Sequence, residues 1–135
     1  MTERVFAGDR SLAEAALATV ERMKVRLATP EAWTQGGRAR NSSGAITLPY
    51  KEDAVCWCLL GAIDVEVAQS GVVDPNRLND LAYVGVLRQG VAVTDGVAFW
   101  NDEAGRKHNE VLEAISRTKA HFEAVVADFK LSETA

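Results

Sequence analysis

The chain has 135 residues and a formal net charge of −4, with fifteen Lys and Arg against nineteen Asp and Glu. Hydrophobic residues make up 47% and charged residues 25%, the range of a globular domain that buries its own core without disulfide or metal staples. The acidic balance argues against a nucleic-acid partner, and two cysteines one residue apart cannot frame a secreted scaffold.

One domain over residues 1–135 is expected, with 1–10 and 131–135 as loosely ordered tails. The N-terminus, Met1-Thr2-Glu3-Arg4-Val5-Phe6, has no apolar signal region. The richest apolar stretch, 54–68, is broken by Gly61, Asp64 and Glu66, so no membrane span is expected. The cytoplasm is the expected compartment, with Cys56 and Cys58 reduced.

Ser11-Leu12-Ala13-Glu14 reads as a capping box, with Ser11 as N-cap. Leu12, Ala16, Val20, Met23 and Leu27 then recur at helical steps, which predicts a helix over 12–28, stopped at Thr29-Pro30. Residues 33–49 change character. Gly36, Gly37, Gly44 and the run Asn41-Ser42-Ser43-Gly44 supply turn chemistry. They predict a short β-hairpin, 34–40 against 45–48, anchored by Trp33. A second helix is expected over 51–69, with Val55, Cys58, Leu59, Ala62 and Ile63 inward. Gly61 inside it implies the close approach of another backbone, since glycine costs a helix interior about 1 kcal/mol.

Asp74-Pro75 has the order of an N-cap followed by proline at the first helical position, starting a third helix that ends near Arg88 and stops at Gln89-Gly90. Residues 91–100 read as an irregular connection with a helical turn near Val97. The last helix is expected from Lys107 or His108 to about Lys130. The predicted fold is mainly α: a small four-helix domain with one short β-hairpin between the first and second helices.

Three segments stand out in order: Trp33-Thr34-Gln35-Gly36, Trp57-Cys58-Leu59-Leu60-Gly61-Ala62, and Phe99-Trp100-Asn101-Asp102, followed by Glu110-Val111. Together they resemble an uncharacterised bacterial and phage family, the domain of unknown function 6197. The resemblance runs from Leu12 to about Ala120. It implies an architecture and a phage or mobile-element ancestry, and no activity.

Four residues form the candidate catalytic set: Cys58 as nucleophile, His108 as base, and Asn101 or Asp102 to orient the imidazole. That set defines an alternative function, a thiol-dependent hydrolase or transferase. Against it, a thiol on an apolar helix face is inert, because burial raises its pKa. No metal site is expected. Cys56 and Cys58 point to different helix faces, and His108 and His121 lie about 20 Å apart along one helix.

Asn101 and Asp102 read as a recognition loop beside an apolar wall, or as side chains that tie the irregular connection to the hairpin through Gln35 or Arg40. Trp33, Trp57 and Trp100 read as a core wedge, as an exposed aromatic patch, or as the lining of a small-molecule pocket. The candidate binding residues are therefore Trp33, Gln35, Arg40, Trp57, Trp100, Asn101 and Asp102. Gly36-Gly37 lacks the Lys-Ser/Thr of a phosphate loop, and no cofactor is implied.

The expected function is that of a non-catalytic interaction or accessory protein, binding a protein partner through the hairpin and the Asn101 loop. A homodimer is also expected, because Val65 and Trp57 sit off the main Cys58 face of the second helix and Phe129 extends beyond the family-like part of the chain.

Overall fold

The structure is a computed structural model and describes residues 9–93 and 95–134, the last of these by its backbone alone. Among the described residues five α-helices dominate: α1 Arg10–Arg26, α2 Leu59–Ala68, α3 Pro75–Gly85, α4 Val97–Asp102 and α5 His108–Thr134. A short 3₁₀ turn, Pro30–Ala32, follows α1, and a π-helical segment, Val86–Val91, prolongs α3. Strands β1 Ala39–Asn41 and β2 Ala54–Trp57 lie between α1 and α2.

Asp9, not Ser11, caps α1. Its Oδ1 accepts from the Leu12 amide at 3.0 Å and from the Ser11 hydroxyl at 2.7 Å. Both residue types cap well, and here Ser11 serves the carboxylate that does the capping. The predicted apolar stripe of α1 is buried against α5 and α2. Helix α3 begins as expected, with the Asp74 Oδ1 accepting from the Arg77 amide at 3.1 Å and Pro75 inside the first turn. Helix α5 continues to Thr134, into the segment 131–135 expected to be a loose C-terminal tail, of which residue 135 lies outside those described, and Arg10 pairs with Glu133 near its end. Of the expected N-terminal tail, residues 1–8 lie outside those described.

The hairpin differs from its prediction. Strand β1 pairs antiparallel with β2, Ala39 opposite Trp57 and Arg40 opposite Cys56, so 54–57 is strand rather than the first turn of the second helix. The anticipated segment 45–48 lies on the other edge of β1. There it makes one bridge, Arg40 to Ile46, supported by Asn41 N–H to the Ala45 carbonyl at 2.9 Å and Thr47 N–H to the Ala39 carbonyl at 3.0 Å. The turn forms as its residues suggest. The Asn41 Oδ1 accepts from the amides of Ser43 and Ala45, and Gly44 adopts φ +85°.

Helix α2 therefore starts at Leu59, and Cys58 is its N-cap instead of a mid-helix residue. The predicted close approach at Gly61 is real. A Cβ there would stand 1.9 Å from the Arg38 carbonyl oxygen, which also accepts from the Cys58 amide at 3.1 Å. Val65 and Phe129 are buried in the single chain and Trp57 is half-buried against the core, while Leu131 near the end of α5 is exposed.

Glu66 on α2 is buried between two arginines of α1: Arg22 Nε reaches it at 3.1 Å and Arg26 Nε from the other side. Arg26 also lies over the Trp57 ring, 4.4 Å from its centroid. A buried carboxylate needs such partners, because an unpaired charge in the interior is costly. These contacts fasten β2 and α2 to α1.

Candidate functional site

Asn101 is the third-last residue of the chain segment Phe99-Trp100-Asn101-Asp102-Glu103 and is fully buried near the end of α4. An amide side chain offers two acceptor sites and two donors, and all four are used. Its Oδ1 accepts from the Trp33 indole N–H at 2.8 Å and from the Leu59 amide at 3.0 Å. Its Nδ2 donates to the Thr34 carbonyl at 3.1 Å and to the Asp102 Oδ1 at 2.9 Å. One residue thus joins the loop before β1, the first residue of α2 and its own helix.

Asp102 extends the junction, because its Oδ1 also accepts from the Gly36 amide at 3.0 Å. Gln35 closes it from the opposite side, its Nε2 donating to the carbonyls of Asn101 at 2.9 Å and Glu103 at 3.0 Å. The tie between connection and hairpin runs through Gln35. Arg40 takes no part in it. The Arg40 guanidinium instead spans the hairpin, donating to Thr34 Oγ1 at 3.2 Å, the Gln35 carbonyl at 3.1 Å and the Gly44 carbonyl at 3.0 Å.

The catalytic candidates are not assembled as a nucleophile and base. Cys58 is 3% exposed. Its Sγ accepts from the Gly61 amide at 3.3 Å, capping α2. Burial pushes the thiol above its ordinary pKa, against the pull of the Gly61 and Leu60 amides, and the nearby Asp102 charge adds to the rise. A helix N-terminus favours a thiolate, but here desolvation wins. His108 turns its Nε2 to the Leu27 carbonyl at 2.7 Å and sets its ring 6.4 Å from that of Trp33. Among the described residues no hydrogen bond links His108 to Cys58, Asn101 or Asp102.

The three indoles separate. Trp33 is held by Asn101. Trp57 donates to the Pro49 carbonyl at 2.8 Å and carries Arg26 on its face. Trp100 carries Arg106, whose Cζ lies 3.9 Å from the ring centroid and whose Nε donates to the Trp100 carbonyl at 2.9 Å. Trp33 and Trp57 are joined through the backbone, in a parallel bridge. All three indoles pack against the central cluster, as the core-wedge reading expects, and Trp100 alone also lines a groove.

Trp100 faces an open groove of about 600 Å³, lined by Val93, Asp95, Ala98, Phe99, Trp100, Asp102 and Glu103. Only one of the three indoles lines it, so it is not the tryptophan-walled pocket expected. Phe99 is 75% exposed at its edge. Periodicity placed a helical turn near Val97 but gave no reason to single out Phe99, because nothing local to 97–102 says which side of so short a helix faces solvent.

Among the described residues no three His, Cys, Asp or Glu side chains gather as metal ligands would. No helix among them is long and apolar enough to cross a membrane.

The junction joins the 33–36 loop, the start of α2 and the 99–102 segment. The chain belongs to a family of unknown function, DUF6197, whose model matches residues 12–121. No curated protein and no solved structure matches it.

Proposed function

We propose that the protein is a non-catalytic interaction domain that presents the α4 segment and the adjoining hairpin to a protein partner. The observation that carries this reading is the contrast between neighbours on one short helix. Asn101 is wholly buried with every hydrogen-bonding site filled, while Phe99, two residues away, is 75% exposed. A saturated amide has no lone pair or proton left for a substrate. What it does is fix the backbone of α4, and a fixed backbone holds an exposed aromatic at little entropic cost. Rigid aromatic anchors of this kind dominate protein interfaces. Ile46, Leu48 and Tyr50 on the hairpin loop add further exposed apolar side chains. A role in phage or mobile-element biology, implied by the family resemblance, is compatible with a small protein that acts by occupying a partner's surface.

The test is site-specific photocrosslinking in the native host. A photoreactive residue replaces Phe99, Ile46 or, as an exposed control on α1, Val25. Discrete light-dependent adducts from positions 99 and 46 but not 25 are the expected result. Adducts that are equally abundant from position 25, or absent from both 99 and 46, overturn the reading.

A further inference from the structure

The groove beside α4 has a definite charge. Its wall is apolar and aromatic, from Val93, Ala98, Phe99 and Trp100, and its polar lining is Asp95, Asp102 and Glu103, with no Lys or Arg among the lining residues. The three carboxylates are not equivalent. Glu103 is neutralised by Arg106, at 2.6 Å. Asp102 spends Oδ1 on the Gly36 amide and the Asn101 side chain. Among the described residues its Oδ2 has no hydrogen bond and neither Asp102 nor Asp95 has an ion-pair partner. Two uncompensated negative charges therefore flank an exposed phenylalanine.

The chain already shows which group suits such a wall. Arg106 lies on the Trp100 ring while its Nη2 bonds Glu103, a guanidinium held by a ring face and a carboxylate together. That pairing combines cation–π attraction with a charge-assisted hydrogen bond. An acidic segment or a nucleic-acid phosphate entering the groove would meet like charge. A neutral one would bury Asp95 and Asp102 against nothing, which is costly.

We propose that the groove receives a basic segment of a partner protein, with an apolar side chain against Phe99 and Trp100 and a Lys or Arg at Asp95 and Asp102. This rests on the interaction-domain reading above and narrows it to the chemistry of the partner.

The test pans a random-peptide display library against the full chain at low salt and neutral pH. Enriched peptides are then measured on the wild type, on F99A and on D95K. Both substitutions fall on exposed side chains outside the Asn101 junction. Peptides rich in Lys or Arg with a Leu or aromatic residue are expected. Their affinity should fall about tenfold or more in each variant, and should fall in the wild type as salt screens the carboxylates. Enrichment of acidic or uncharged peptides that still depend on Phe99 overturns the basic-segment proposal and leaves the interaction domain standing. Peptides indifferent to both substitutions, or none enriched, overturn the groove as the binding site, and photocrosslinking from the hairpin then decides the broader reading separately. A concentration-dependent dimer in light scattering that F99A abolishes replaces the partner segment with a second copy of the chain.

Discussion

The indole N–H of Trp33 and the side-chain oxygen of Asn101 meet at 2.8 Å across 68 residues of chain. The bond joins the loop before β1 to the end of α4, and the same oxygen takes the Leu59 amide at the start of α2. Replacing Asn101 with Ala leaves the Trp33, Leu59 and Thr34 groups without their partner in a buried site. Each orphaned group costs about 1–3 kcal/mol, so N101A should lose roughly 3–5 kcal/mol of unfolding free energy in urea titration. N101D keeps the acceptor but loses both donors and sets a second carboxyl against Asp102. Its stability deficit should shrink as the pH is lowered into the carboxylate range, where the pair shares a proton. A wild-type midpoint for N101A would show that the junction does not hold α4 in place.

Gly61 offers a sharper case. By helix propensity alone, G61A should stabilise α2 by about 1 kcal/mol. The Arg38 carbonyl stands where the methyl would go, and that oxygen belongs to the backbone just before β1. The expected outcome is destabilisation of about 2–4 kcal/mol, from overpacking plus loss of the Cys58 amide bond to the same oxygen. Thermal and denaturant melts of G61A decide the sign.

Cys58 should behave as a cap rather than a reagent. Iodoacetamide at neutral pH should label the half-buried Cys56 first, and Cys58 only after denaturation, because the thiol is buried and its pKa raised. C58S supplies a better cap at the same position and should remain within about 1 kcal/mol of wild type, while C58A should cost about 0.5–2 kcal/mol. Rapid native labelling of Cys58 would revive the thiol-dependent enzyme.

His121 lies on α5 with its ring 5.3 Å from that of Phe122, and burial lowers its pKa below the ordinary 6.5. A depressed folded value means that the unfolded chain binds the proton first as the pH falls. The contribution is therefore fully present above about pH 6.5 and is lost as the pH drops through the folded value. The thermal midpoint should decline in that window, and H121Q should flatten the decline. Asp9 and Glu110 act lower. The hydroxyl of Ser11 and the amide of Leu12 hold Asp9 below its ordinary value, and the Lys107 amide does the same for Glu110. Their stabilisation is present above the ordinary carboxylate values and is lost as the pH falls through the lowered ones. A midpoint that falls equally in wild type and H121Q between pH 6.5 and the carboxylate range would assign that loss to another group.

Much of this was legible in the residues and some was not. Helix α3 announced itself through Asp74-Pro75, and the stripe Leu12 to Leu27 gave α1 because a 3.6-residue period over so many turns has no strand equivalent. The stretch 54–63 misled because it is apolar throughout. It contains no glycine or proline between the strand Ala54–Trp57 and the helix at Leu59 to mark the change. The strand exists because β1 offers it a partner, which is not a property of 54–57 alone. The Asn101 junction was half visible. Its residue types suggested a tie to Gln35, but Trp33 and Leu59 are brought to it only by the tertiary fold. Phe99 carried no local signal, since exposure is decided by what packs against α4.

The seam between the π-helical segment and α5 has a consequence for sequence change. A methyl on Gly85 would stand 2.4 Å from the Phe122 ring, and one on Gly90 would stand 2.5 Å from Thr118 Oγ1 and 2.9 Å from the Ala114 carbonyl. These are two points of contact with the same helix, one near each end of the segment. At both points the absence of a Cβ is what lets α5 lie this close to the segment. Substitutions on the two sides are therefore tied to each other. Ala at position 85 is accommodated only if the Phe122 ring shifts or a smaller side chain replaces it. At position 90, where the Ala114 backbone carbonyl also stands in the way, a trade of side chains is not enough and one of the two backbones would have to shift.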